Sequence, residues 1–215
     1  MKKLWIIGDS FSAKFYAPNE GIDSWKNKYC EYKSYIPKFF GQFVSEQLGI
    51  EYEILTQGPN DNFKMIELFI DSIDKFHDGD IISFGWTDQS RLRFVDFSEN
   101  QWEVVNAHNM KGDYLKGVSV STLVEWASNR GHKLYSEEII KWAKLINKSL
   151  PNVSILHWTW TNHLYFPFER IVDDTQGLIN DLHWSEKGHK QFANWFLDVY
   201  NKKIENNCFE NYSLK

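Results

Sequence analysis

Leu4-Trp5-Ile6-Ile7-Gly8-Asp9-Ser10 decides the fold of this chain. The apolar run Leu4 to Ile7 is too brief for anything but a buried strand. It stops dead at Gly-Asp-Ser. Open α/β sheets place their sites beyond the carboxyl ends of their strands, and that is where Ser10 falls.

Working outward, residues 11–34 are polar and aromatic, with Pro18 and Gly21, and read as a long loop forming one wall of a pocket. Tyr35 to Leu48 has helical spacing, with Phe39, Phe40, Phe43, Val44 and Leu48 on one face and Gly49 as its stop. A second strand spans Tyr52–Leu55, followed by a turn at 56–61 and a helix from about Asn62 to Phe76. The third strand is Asp80–Phe84, leading into Gly85-Trp86-Thr87-Asp88. Residues 89–118 show no clean period and read as an insertion over the site, with short strands around Arg91–Phe97 and Gln101–Val105. Helical segments follow at 119–129 and 136–149, the second with Ser136 as N-cap. A fourth strand covers Val153–Trp158, then an irregular stretch with an edge strand near 170. The last helix runs from about Ser185 to Ile204 and buries Phe192, Ala193, Phe196, Leu197 and Tyr200. Strands alternating with helices predict one α/β domain over 1–215, a three-layer α/β/α sandwich around a central parallel sheet.

The chemistry sits at the two ends. A serine hydroxyl is a weak nucleophile until a base takes its proton. Near the C-terminus Asp181-Leu182-His183 precedes Trp184-Ser185-Glu186-Lys187-Gly188-His189. Ser10 as nucleophile, His183 as general base and Asp181 as the carboxylate that orients it supply the parts of a triad. Asp173, Asp174 or a backbone carbonyl could orient the base instead. Asp9 reads as structural, its carboxylate holding the turn through backbone N–H groups. Neither a phospho-acceptor role for Asp9 nor a dinucleotide site at Gly8 fits, since the required acidic pair and Gly-x-Gly-x-x-Gly spacing are missing.

Gly-Asp-Ser after the first strand, combined with Asp-x-His-x-Ser-x-x-Gly-His before a C-terminal amphipathic stretch, resembles the SGNH (GDSL-type) hydrolase superfamily. The resemblance implies the flavodoxin-like SGNH hydrolase fold and cleavage of acyl esters, often on lipids or carbohydrates. It implies an oxyanion hole from the backbone N–H of Ser10 and of Gly58, with a side-chain amide from an asparagine after strand three. That asparagine is Thr87 here. Asn60, in a neighbouring loop, offers the right amide chemistry, although Gly-Pro-Asn-Asp is also a good turn and cap sequence. The family's commoner Asp-x-x-His spacing would place the acid at Asn180, so Asp181 departs from it. His189 is the competing candidate for the base, but a Gly-His pair such as Gly188-His189 is usual there in the family, with a structural role.

Composition narrows the function further. The chain has 215 residues, a net charge of -5 and no dense basic cluster, so nucleic acid is not an expected partner. Aromatic residues reach 17%, which suits a core and also a platform for sugar or acyl groups. Two cysteines are too few for a disulfide scaffold or a Cys-based zinc site. Lys2-Lys3 and the short apolar run imitate a signal peptide, but the run leads into Ser10 rather than a cleavage site, and no stretch has transmembrane length. The expectation is a cytoplasmic esterase without cofactor, metal or membrane contact, acting on an acyl ester, an O-acetyl group on a carbohydrate above all. The alternative is a non-catalytic SGNH-like module that binds glycans or serves a structural role, favoured by the altered Gly-Trp-Thr-Asp block.

Overall fold

The computed structural model describes residues 2–15, 25–55, 60–87, 91–96, 101–106, 132–159 and 168–206. Its centre is a parallel sheet of four strands, β1 (Lys3–Ile7), β2 (Glu51–Ile54), β3 (Ile81–Trp86) and β6 (Ser154–Thr159), in the order β2-β1-β3-β6. The chain moves outward from β1 to β2 and then crosses back to β3. That reversal puts the switch point of the sheet between the carboxyl ends of β1 and β3, where Ser10 and Thr87 follow.

Register makes those ends coincide. Leu4 pairs with Ile81 and Ile7 with Phe84. Asp80 enforces this from the opposite edge, accepting hydrogen bonds from Lys3 N at 2.8 Å, the Trp5 indole at 2.8 Å and His77 N at 3.0 Å. A buried carboxylate is tolerated only when its oxygens are satisfied, so slipping β1 along β3 would strand a charge.

Alternate strand residues feed two cores. Leu4, Ile6, Ile81, Leu156 and Trp158 pack with helices α1 (Trp25–Lys33), α2 (Phe40–Leu48) and α6 (Glu186–Asn206). Trp5, Ile7, Ile82, Phe84, Trp86 and Ile155 pack with α3 (Asn62–Asp71) and α4 (His132–Ser149). The molecule is therefore α/β, with helices against both faces of a parallel sheet. Much of the aromatic content goes here: Phe40, Trp158, Trp184, Phe192 and Phe196 stack edge and face beneath α6.

Several elements differ from the expectation. The loop over 11–34 contains α1, whose Tyr29 and Cys30 are buried. Helix α2 begins at Phe40 rather than Tyr35, because Pro37 follows Ile36 and Phe39 serves as N-cap, its N–H donating to the Gln42 side chain at 3.1 Å. The helix from Asn62 ends at Asp71 and a single 3-10 turn, Ile73–Lys75, completes it. Helix α4 starts at His132, so Ser136 lies within it and is not its cap. The edge strand near 170 is one antiparallel bridge, Arg170 to Trp184, followed by the one-turn helix α5 (Ile171–Asp174). Two short strands are present as expected after residue 89, β4 (Arg91–Asp96) and β5 (Gln101–Asn106), paired antiparallel. Residues 107–118 and the helix expected at 119–129 lie outside the described residues. Among the described residues no helix is long and apolar enough to cross a membrane.

Candidate active site

The turn after β1 is built around Asp9. Its side chain caps the 3-10 turn Ser10–Ser12 by accepting Phe11 N at 3.0 Å, as the sequence suggested. The second oxygen reaches much farther along the chain. Thr87 Oγ1 donates to Asp9 Oδ2 at 2.7 Å, and Arg91 Nη1 lies 3.3 Å from the same oxygen. Asp9 is only 1% exposed, and leaving such a carboxylate without partners would cost several kcal/mol. Gly8 is required for a different reason. A Cβ there would come within 2.0 Å of Ser12 Oγ, so the chain can only fold back over a glycine.

Thr87 is itself locked in place. Its N–H donates to Asn62 Oδ1 at 2.8 Å, and Asn62 Nδ2 returns a bond to Thr87 O at 3.2 Å. Asp61 caps α3 by accepting Lys64 N at 2.7 Å. The first turn of α3 is thus tied to the end of β3, beside the end of β1.

At the other end of the chain, Asp181 and His183 sit in a loop that hangs on α5. Val172 N donates to Asp181 O at 3.0 Å and Ile171 N to His183 O at 2.9 Å, so two N–H groups at the start of the short helix are satisfied by the loop. The Asp181 carboxylate accepts the backbone N–H two residues on and so turns the chain there. That places the Asp181 and His183 side chains together and turns Leu182 outward, where it is 56% exposed. One carboxylate oxygen, Asp181 Oδ1, then accepts both His183 N and His183 Nδ1–H, each at 2.7 Å. This double use of one oxygen explains how a two-residue spacing can orient the imidazole.

His183 Nε2 lies 2.9 Å from Ser10 Oγ, across 173 residues of sequence. With Nδ1–H given to the carboxylate, Nε2 carries the lone pair and accepts a hydrogen bond from the Ser10 hydroxyl. Burial works against the charged form of Asp181, but the hydrogen bonds it accepts from His183 outweigh it and hold the carboxyl below its ordinary range. Phe11 completes the setting: its ring lies on the imidazole with centroids 4.5 Å apart and meets Trp184 edge-on at 5.3 Å.

The other candidates are placed elsewhere. Asp173 accepts Arg170 N at 3.1 Å, and Asp174 accepts the Tyr29 hydroxyl at 2.5 Å and Lys33 at 3.1 Å. The Tyr29 hydroxyl in turn accepts Glu186 N at 3.1 Å, so α1 clamps both sides of the loop. His189 is buried beside Phe15, Phe39, Phe40 and Trp184, away from Ser10 Oγ in bonding terms. Burial, then the Lys26 and His183 charges, pushes its pKa down to about 3. Gly188 precedes it because a Cβ there would meet Glu169 O at 2.0 Å.

The oxyanion residues are brought together only in part. Gly58 lies outside the described residues. Asn60 stands beside the end of β1, its Nδ2 3.4 Å from Gly8 O. Thr87, the other candidate for the side-chain donor, directs its hydroxyl proton at Asp9. Arg91, which sequence reading did not single out, donates from Nη2 to Ser10 Oγ at 3.3 Å. The only signal was its place at the head of the insertion, and a lone arginine there carries no periodicity. Among the described residues no cluster of three His, Cys, Asp or Glu could hold a metal ion, and Cys30 is buried in the core.

No family model, curated protein or solved structure matches this chain. The SGNH likeness therefore rests on the motif residues and on what can be argued from their geometry.

Proposed function

We propose that this chain is a serine esterase of the SGNH type, with a three-layer α/β/α fold, that hydrolyses an acyl ester through an acyl-enzyme on Ser10. One observation carries the reading: the continuous chain Ser10 Oγ, His183 Nε2, His183 Nδ1, Asp181 Oδ1, with links of 2.9 and 2.7 Å. Hydrogen-bond reach between nucleophile and base, with the base oriented by a third group, is what nucleophilic catalysis needs.

In the first half-reaction Ser10 Oγ attacks the ester carbonyl as its proton passes to His183 Nε2. The carbonyl electron pair moves onto oxygen, beside the Ser10 N–H and the Asn60 amide. Collapse of this intermediate expels the alcohol, which takes the proton from His183. A water then attacks the acyl carbon, gives a proton to His183, and the carboxylic acid leaves as Oγ regains that proton. Asp181 stays ionised throughout and stabilises the imidazolium.

A short acyl ester, an O-acetyl group on a carbohydrate in particular, is the substrate class proposed from composition. The described aromatic rings go largely to the core, so the sugar acceptor draws no support from them, and the ester step is the part that the geometry supports.

Labelling of Ser10 by a fluorophosphonate probe, with turnover of p-nitrophenyl acetate, tests the proposal. Labelling that disappears in Ser10→Ala, together with lost turnover and an unchanged melting temperature, is expected. A folded protein whose Ser10 never labels would return the reading to a non-catalytic module.

A further inference from the structure

Arg91 occupies the first position of β4, at the base of the hairpin where it pairs with Asn106. Its side chain is 10% exposed, and its two Nη atoms diverge around the nucleophile turn. Nη1 is 3.3 Å from Asp9 Oδ2 and Nη2 is 3.3 Å from Ser10 Oγ. A guanidinium keeps its protons at any working pH and is planar, so anchoring one arm aims the other. Asp9 is the anchor, itself held by Thr87 Oγ1 and Phe11 N.

We infer that Arg91 is a catalytic residue of this site, the charged hydrogen-bond donor to the oxyanion that forms when Ser10 attacks. The inference rests on the esterase reading above. The oxygen that gains charge is bound to the same carbon as Oγ, so a donor that reaches Oγ in the resting site lies within a small shift of it. Thr87 holds the family's position for a side-chain donor but spends its proton on Asp9. Arg91 sits on the same carboxylate oxygen and supplies a stronger donor, because hydrogen bonds from an ionised group are roughly twice as strong as neutral ones. The charge of the guanidinium is balanced by Asp9. A neutral pair exerts little pull on a distant anion, yet keeps its directed bond to a charge developing at Ser10. That favours an oxyanion role over capture of a carboxylate on the substrate. Asp9 and Thr87 then act as positioning residues.

The test compares Arg91→Met, Arg91→Lys and Asn60→Ala with the unaltered chain, on neutral p-nitrophenyl acetate and on the anionic hemisuccinate ester of p-nitrophenol. Arg91→Met should lower kcat on the neutral ester by about 10²–10³, with KM changed by less than about threefold. Arg91→Lys should recover part of the loss, and Asn60→Ala should cost less than Arg91→Met. If Arg91→Met does not fold, Arg91→Lys decides, since it retains the charge but not the fork; a loss of about tenfold or more in kcat is expected. Several results would overturn the inference: kcat on the neutral ester within tenfold of the original in Arg91→Met, a loss confined to KM for the anionic ester, or Asn60→Ala proving the more damaging. Fluorophosphonate labelling separates the two readings. Labelled Ser10 with an unimpaired Arg91 variant defeats the role of Arg91 alone, whereas an unaltered chain that neither labels nor turns over defeats the esterase reading and this inference with it.

Discussion

The turn that carries Ser10 and the loop that carries His183 meet at 2.9 Å, yet they are held in different ways. The loop is local. Its acid, its base and the helix it hangs on lie within Arg170–Trp184, and the contact that orients the imidazole spans two residues. The turn is a long-range assembly: Asp9 is held by Thr87, 78 residues away, and by Arg91, while β1 is registered on β3 by Asp80. A local device depends on short-range chain geometry. A long-range one depends on the whole sheet, so it responds to changes far from Ser10.

The largest expected effect breaks the distinction. His183→Ala should cost as much kcat as Ser10→Ala, because members of one proton-transfer unit fail together whatever holds them. A residual rate well above that of Ser10→Ala would assign the proton to another base. Next comes the local device itself. Asp181→Asn should lower kcat by roughly 10⁴ if the carboxylate sets the imidazole tautomer. A loss below about tenfold in the same steady-state assay would mean that the backbone of the loop suffices.

The long-range assembly should fail more gently and partly through stability. Thr87→Val removes a hydrogen bond to a buried carboxylate, expected to cost about 1.5–3 kcal/mol in urea unfolding. Its effect on kcat should be about tenfold or less, through the position of Arg91. Thr87→Ser should restore both. If Thr87→Val is catalytically as damaging as Asp181→Asn, the hydroxyl acts directly on the substrate oxygen.

The smallest effect on activity belongs to His189, and it sharpens the contrast with His183, six residues earlier. Its pKa is pushed down to about 3 in the folded chain, against about 6.5 for a free imidazole. The unfolded chain therefore takes up a proton that the folded chain refuses. Stability is full above about pH 6.5 and falls as pH drops toward about 3, by up to about 1.4 kcal/mol per pH unit. His189→Phe should flatten that part of the curve of unfolding free energy against pH while leaving kcat near its original value. Equal slopes for the two proteins would mean that His189 can be protonated in place.

Much of the architecture was legible because it is periodic or punctuated. The apolar run before Gly8, the stop at Gly49 and the face Phe192–Tyr200 depend on residues within a few positions of each other. Asp181 and His183 were legible for the same reason, since an aspartate can bond the backbone two residues on and bend the chain wherever it stands. The start of α2 was written locally, in Pro37 and the Phe39–Gln42 cap, and lies later than the helical spacing suggests. The existence of α1 was not legible, because its support is the burial of Tyr29 and Cys30 in the core beneath the sheet.

By itself, then, the sequence determined the strand that leads into Ser10, the carboxylate two residues before His183, and the alternation that makes an α/β sheet. Only the tertiary structure decided that Thr87 gives its proton to Asp9, that Phe11 lies on the His183 ring, and that Arg91 points at Ser10 Oγ. The physical reason is range. A side chain's near neighbours along the chain set its local geometry, but the partner of a buried charge is chosen by strand order and register, which bring residues 9, 87 and 91 to one point at the switch of the sheet.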